Sequence, residues 1–456
     1  MKTMKRMMAV LVVLAMLLSM ACTSAYANIT ITGVKDGHTY TVYKLMDLQY
    51  DSATGTYAYT VASKWLNFFK SGEGKEYVTL DNANQVTWIK PNDEATAKAL
   101  AAAAVAAGIA NDGTETAASG AAEFAGLTPG YYVVESSAGT FLTLNSVYGD
   151  TLSLSEKNSL PNVTKGVKNE GTDYATTVYA ELGDTVNYKI TVAAEAGAKN
   201  YIVEDQLPSG ITYGGDVKVF DKDNNEITAS AETYEASYDS ATRKLTVVFK
   251  QAYLNGLTKG QETYITYSGT VNSNVTTGNG ADTNQNTAVL MVSGVAADSA
   301  VANVNTFKIQ VNKVDKADTT KLLEGAEFKL YSASNAGYMK VVDGKIEWET
   351  EANADVFATD TNGTFEIKGL VPGTYELKEI KAPAGYNLLT TPETVLIKTE
   401  GLSDGENGDV TVTVENSKGQ VLPGTGGMGT TLFYAFGGIL MAGAAVLLVS
   451  KKRRAN

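Results

Sequence analysis

Val186-Asn187-Tyr188-Lys189-Ile190-Thr191-Val192 alternates apolar and polar residues without a break. A period of two puts Val186, Tyr188, Ile190 and Val192 on one face of a strand and the polar residues on the other. The same rhythm recurs in Thr39-Tyr40-Thr41-Val42-Tyr43, in Lys244-Leu245-Thr246-Val247-Val248-Phe249 and in Thr411-Val412-Thr413-Val414. β-Branched and aromatic residues fill these runs, as a pleated, half-buried surface favours. Asp343-Gly344 and Asn362-Gly363 are turn signals between strands. One convincing helix is predicted, over 93–107, rich in alanine and packed as an excursion from the first module. Short strands with regular turns predict an all-β chain of tandem immunoglobulin-like sandwiches.

With 456 residues there is room for two to four domains. Three modules are expected, at 28–160, 161–304 and 305–421. Gly126-Leu127-Thr128-Pro129-Gly130-Tyr131-Tyr132-Val133-Val134-Glu135 parallels Gly369-Leu370-Val371-Pro372-Gly373-Thr374-Tyr375-Glu376-Leu377-Lys378-Glu379. That repeat suggests one sandwich type for the first and third modules. Trp65, Phe68 and Phe69 are expected in the core rather than on a ligand shelf.

The chain carries Lys+Arg 37 against Asp+Glu 50, for a net charge of -13. Lys2, Lys5, Arg6, Lys451, Lys452, Arg453 and Arg454 lie at the two ends, in segments without acids. Without them the body stands at about -20, a poor match for nucleic acid. Cys22 and His38 are the only cysteine and histidine. That leaves no disulfide framework, no cofactor or metal requirement and no Ser-His-Asp triad, so no enzyme is expected. His38 follows Asp36-Gly37, a turn, and is expected to be exposed. Asp221-Lys222-Asp223-Asn224-Asn225-Glu226 opens like a calcium loop, but Glu226 stands where such a loop needs glycine. A charged hairpin turn is expected there.

Residues 1–27 have the layout of a secretory signal. Lys2, Lys5 and Arg6 form the charged start, Met7 to Met20 is a short apolar run, and Ala25-Tyr26-Ala27 is a cleavage site. At the other end, Leu422-Pro423-Gly424-Thr425-Gly426 precedes an apolar run over 432–449, and four basic residues follow. That run is long enough to span a bilayer, and the basic cluster would hold the tail in the cytoplasm. LPxTG, apolar helix and basic tail in this order resemble the cell-wall sorting signal of Gram-positive surface proteins. The resemblance implies cleavage by a sortase between Thr425 and Gly426. The Thr425 acyl group then passes to an amine, on a peptidoglycan precursor or on another protein.

The third module carries Asn312-Lys313-Val314-Asp315, Leu323-Glu324-Gly325-Ala326-Glu327-Phe328, Tyr375-Glu376-Leu377-Lys378-Glu379-Ile380-Lys381-Ala382-Pro383-Ala384-Gly385-Tyr386 and Val414-Glu415-Asn416. These runs resemble the B-type repeat of collagen-binding surface proteins and the E-box of sortase-assembled pilins. The resemblance implies an internal isopeptide bond between Lys313 and Asn416, assisted by Glu379. In the second module, Pro161-Asn162-Val163-Thr164-Lys165-Gly166-Val167 and Gln285-Asn286-Thr287-Ala288 resemble the first and last strands of the A-type pilin domain. Lys165 and Asn286 would be the pair, with Glu232 as the assisting acid and Asp205 as the alternative. Lys44 and Glu135 are candidate members of a first-module site, without an identified asparagine.

Ser155-Glu156-Lys157-Asn158 lies where major pilins carry a Tyr-Pro-Lys-Asn pilin motif; Ser155 and Glu156 depart from it. The resemblance implies that Lys157 attacks Thr425 of another copy, giving a head-to-tail covalent backbone pilus. Implied partners are pilus-specific and housekeeping sortases, other copies of the chain, minor pilins, peptidoglycan and a host surface ligand. The implied location is the cell wall and the fimbrium, with a transient membrane anchor. A monomeric wall-anchored adhesin is the rival reading, and Lys157 discriminates the two.

Overall fold

The computed structural model describes residues 27–51, 54, 56–91, 93–139, 141–145, 151–156, 160–280, 283–400 and 407–419. The signal segment with Cys22, the Lys157 motif position, Leu422–Gly426 and the apolar run 432–449 lie outside the described residues. Among the described residues no helix is long and apolar enough to cross a membrane. The chain divides into two compact units, Met1–Thr276 with Gly280–Asn305, and Thr277–Asn279 with Thr306–Asn456. Strands dominate both.

In the first unit, one group of sheets is built from residues 27–155. Ala27–Thr32 pairs in parallel with Thr151–Ser155 and antiparallel with Ala121–Leu127. Facing it, Thr39–Asp51 pairs with Thr56–Val61 and with Gly130–Ser136. Tyr132 and Val134 pack on Ile29, Ile31, Tyr40 and Phe124, whereas Tyr131 and Val133 pack on Trp65, Phe69 and Leu100. Gly130–Ser136 is thus covered on both faces, which is why its sequence is a continuous apolar run rather than an alternation. The helix Glu94–Ala106 supplies part of that cover. Asp93 caps it by accepting the Thr96 N–H at 2.8 Å, and Leu100, Ala101 and Ala104 face the core. His38 is buried, contrary to the expectation from its turn. Its ring Nδ1 lies 2.9 Å from Ser137 Oγ, and the Asp36-Gly37 turn folds the imidazole inward under that hydroxyl.

The second group spans residues 162–305 and forms two six-stranded sheets. One runs Asn162–Lys168, Thr185–Ala193, Glu262–Val271, Lys218–Phe220, Glu226–Ile227, with Ile211–Tyr213 also on Glu262–Val271. The other runs Thr177–Tyr179, Val295–Asn305, Gln285–Val292, Tyr201–Gln206, Lys244–Phe249, Tyr234–Asp239. Thr185–Ala193 buries every second residue, and Val186, Tyr188, Ile190 and Val192 share one core with Val203, Leu245, Ile265 and Leu290. Asp221 accepts the N–H groups of Asp223 and Asn225 at 2.9 Å in a hairpin turn.

In the second unit, Phe307–Asp315 pairs antiparallel with Thr364–Leu370 and in parallel with Val410–Asn416, and Asp318–Leu322 pairs with its end. The other sheet runs Lys345–Glu349, Gly337–Val342, Glu327–Ser332, Gly373–Lys381, Glu393–Ile397. Asp343 and Gly344, with φ of 51° and 79°, form the two-residue hairpin between Gly337–Val342 and Lys345–Glu349. Left-handed φ at both positions matches the strand twist, which explains the Asp-Gly pair.

Candidate functional site

Two clusters of buried polar side chains lie inside otherwise apolar cores. In the second unit, the parallel pairing of Phe307–Asp315 with Val410–Asn416 sets Lys313 opposite Val414 and Asp315 opposite Asn416. Residues two apart share a face, so Lys313 and Asn416 both point into the sandwich. Lys313 Nζ donates to the Val414 carbonyl at 2.9 Å and to Asn416 Oδ1. Glu379 enters from Gly373–Lys381 on the facing sheet. Its Oε1 stands 3.7 Å from Lys313 Nζ and has no hydrogen-bond partner, while Oε2 accepts the Asn416 amide at 2.9 Å. The backbone holds the rest of the site: Leu389 N–H donates to Glu379 Oε2 at 2.9 Å, and Asn416 Nδ2 donates to the Asn387 carbonyl at 2.8 Å. Phe328 closes one side, with its ring centroid 6.0 Å from Lys313 Nζ. Burial pushes the Lys313 amine down to about 8, against the pull of Glu379.

The first unit holds the second cluster. Lys165 sits on Asn162–Lys168 and Asn286 on Gln285–Val292, strands of opposite sheets. Lys165 Nζ pairs with Asp205, and both side chains are sealed from solvent. Burial pushes this amine down to about 8 as well, opposed by Asp205. Tyr267 donates its hydroxyl to Asp205 Oδ2, and the Tyr267 oxygen accepts from Asn286 Nδ2 at 2.6 Å. Asn286 Oδ1 is buried without a hydrogen-bond partner. Tyr188 and Tyr267 wall the lysine, with ring centroids 5.2 and 5.8 Å from Nζ.

Glu232 is not the acid beside Lys165. It stands exposed on the turn after Ser230, its N–H donating to Ser230 Oγ at 3.2 Å. Asp205 takes the place because it occupies an inward position of Tyr201–Gln206, one alternation after Val203. Sequence reasoning overlooked Tyr267 altogether. Its signal was present: a phenol at an inward position of a core strand needs a polar partner. Lys44 and Glu135 do not converge. Lys44 Nζ pairs with Asp47 at 2.5 Å, and Glu135 pairs with Lys199 at 2.7 Å. Near the Lys157 position, Glu156 accepts the Tyr40 hydroxyl just beyond Thr151–Ser155. Among the described residues no group of three or more His, Cys, Asp or Glu side chains is arranged to hold a metal ion.

Residues 307–418 match the SpaA prealbumin-like fold domain, and residues 414–456 match the LPXTG cell wall anchor motif. The trypsin-resistant surface T6 protein of Streptococcus pyogenes serotype M6 is 24% identical over 408 residues, 68% of this chain and 72% of that protein. The fimbrial subunit type 1 of Actinomyces viscosus is 30% identical over 162 residues, 31% of this chain and 30% of that protein. The T6 backbone pilin of serotype M6 Streptococcus pyogenes, solved as a modular three-domain structure, superposes with a TM-score of 0.54 at 18% identity. The match covers 87% of this chain and 99% of that one, and it carries the likeness in fold. The chain thus joins a prealbumin-like SpaA domain to an LPXTG cell wall anchor, and it is similar to a surface T6 protein and a fimbrial subunit of Gram-positive bacteria.

Proposed function

We propose that the chain is the shaft subunit of its pilus, built as three modules at 28–160, 161–304 and 305–421. A pilus-specific sortase cleaves between Thr425 and Gly426 and joins Thr425 to Lys157 of another copy. A housekeeping sortase then transfers the polymer to peptidoglycan. Minor pilins join the same polymer, and the fibre supports adhesion to a host surface ligand.

Two internal amides, Lys165–Asn286 and Lys313–Asn416, staple the shaft. The observation that carries this reading is the sealed convergence of Lys313, Glu379 and Asn416. A proton passes from Lys313 Nζ to Glu379, which neutralises two charges that burial disfavours. The free amine attacks Asn416 Cγ. Glu379 returns the proton to Asn416 Nδ2, the C–N bond breaks, and the surplus proton of the attacking nitrogen passes by way of Glu379 to the leaving ammonia, which departs as ammonium. Asp205 serves Lys165 and Asn286 in the same way. Each site turns over once, so the protein is a substrate of its own chemistry and not an enzyme. The amides close loops of roughly 120 and 100 residues, worth about 4–5 kcal/mol each if disulfide loop arithmetic carries over. They also tie an early strand to a late one in each module, so tension passes through a covalent bond.

The test is a Lys157→Ala strain. Loss of the high-molecular-weight ladder on denaturing gels is expected. An unchanged ladder removes Lys157 from the linkage and favours another lysine or a monomeric adhesin.

A further inference from the structure

We propose that Tyr267 is a catalytic residue of amide formation in the second module, relaying a proton from Asp205 to the leaving nitrogen of Asn286. This rests on the reading that Lys165 and Asn286 join. The two clusters differ in one respect that calls for such a relay. In the second unit the acid touches the leaving nitrogen itself, Glu379 Oε2 to Asn416 Nδ2 at 2.9 Å. In the first unit the acid is an aspartate, one methylene shorter, and both its oxygens are engaged elsewhere. Oδ1 takes Lys165 and Oδ2 takes the Tyr267 hydroxyl. The Tyr267 oxygen then accepts Asn286 Nδ2 at 2.6 Å. The phenol therefore occupies the gap between acid and amide, and it stands 3.4 Å from Lys165 Nζ as well. The aromatic residue beside Lys313 is Phe328, which has no hydroxyl, in the site where the glutamate reaches the amide unaided.

The balance of the step is as follows. Asp205 takes a proton from the Lys165 ammonium, leaving a neutral amine. Lys165 Nζ attacks Asn286 Cγ, and the amide nitrogen becomes tetrahedral and basic. The Asp205 proton passes to the Tyr267 oxygen while the phenol proton passes to Asn286 Nδ2. The Cγ–Nδ2 bond breaks, ammonia leaves, and the surplus proton of the attacking nitrogen returns to Asp205 and leaves with the ammonia as ammonium. Burial holds the phenol well above its usual value, so it stays neutral and able to donate and accept together. Asp205, Tyr267 and Asn286 are all buried, which leaves the phenol rather than bulk water to carry the proton.

The experiment follows joined peptides with time in digests of the full chain, using the Lys313–Asn416 peptide as the internal standard. In the wild type both joined peptides are expected. Tyr267→Phe should slow the Lys165–Asn286 join by about 100-fold or more and leave the other complete. Tyr213→Phe is the matched control. Its ring lies 5.7 Å from Tyr267, but its hydroxyl accepts the Val217 N–H and touches no reacting atom. It should join at the wild-type rate. If Tyr267→Phe fails to fold, 3-fluorotyrosine at position 267 keeps the shape and makes the phenol more acidic, and the joining rate should shift. A wild-type rate in Tyr267→Phe or with fluorotyrosine overturns the relay. A wild type that lacks the Lys165–Asn286 peptide while holding the other overturns the bond itself.

Discussion

Lys313 Nζ and Glu379 Oε1 stand 3.7 Å apart, with both side chains sealed from solvent. A buried ion pair recovers only part of the desolvation cost of its two charges, so the pair is poised to exchange a proton. Asn416, held there by three side-chain hydrogen bonds, is the group on which the proposed exchange would act.

Glu379→Gln cannot take the lysine proton. The variant chain is expected to retain one ammonia more than the wild type by intact mass. Asn416→Ala should do the same and lower the stability of the second unit by about 4–5 kcal/mol, the worth of the lost closure. That corresponds to a fall in Tm of about 15–20 °C in calorimetry for a unit of this size. Full ammonia loss in Glu379→Gln would remove the glutamate from the chemistry.

Asp205 and Glu232 separate cleanly. Asp205→Asn should abolish the Lys165–Asn286 join, since the amide that replaces the acid takes no proton. Glu232→Gln changes an exposed turn residue and should leave both joins and the melting temperature as they are, within about 0.5 kcal/mol. Peptide mapping of the two variants side by side decides the matter, and the reverse pattern would restore Glu232.

In Asn416→Ala the Lys313 amine stays free, with its folded-state value lowered from 10.5 to about 8. The unfolded chain then binds more protons than the folded one between about pH 8 and 10.5. Stability therefore rises with pH across that window and is lowest below it. On the proposed reading, the joined wild type has no such group. The gap in stability between variant and wild type should narrow as the pH is raised from 7.5 to 9.5 in denaturant titrations, and a gap that widens would contradict the assignment.

The single imidazole gives a second handle on pH. Burial lowers the His38 value below 6.5; Glu156 opposes the shift and Lys35 adds to it. The folded state resists protonation, so stability is fully present above 6.5 and falls as pH drops through the lowered value. Titration by NMR should place the His38 midpoint below 6.5, and a midpoint above it would mean that the Glu156 carboxylate prevails.

Much of this architecture was readable before any coordinates. Alternation in Thr185–Ala193 and Lys244–Phe249 is a local property, and the observed strands carry it. The Asp343-Gly344 turn and the Asp93 cap are equally local. Lys313, Glu379 and Asn416 were legible because each sits in its own short motif, and the structure brings the three together.

By itself the sequence determined the β periodicity, the turns, the helix and the LPXTG anchor motif, because each depends on neighbours along the chain. Only the tertiary structure decided that Asp205 rather than Glu232 faces Lys165, that Tyr267 bridges acid and amide, and that His38 is buried. Those choices depend on which inward positions of two stacked sheets meet. Stacking is set by the packing of whole faces, and no spacing within one strand encodes it.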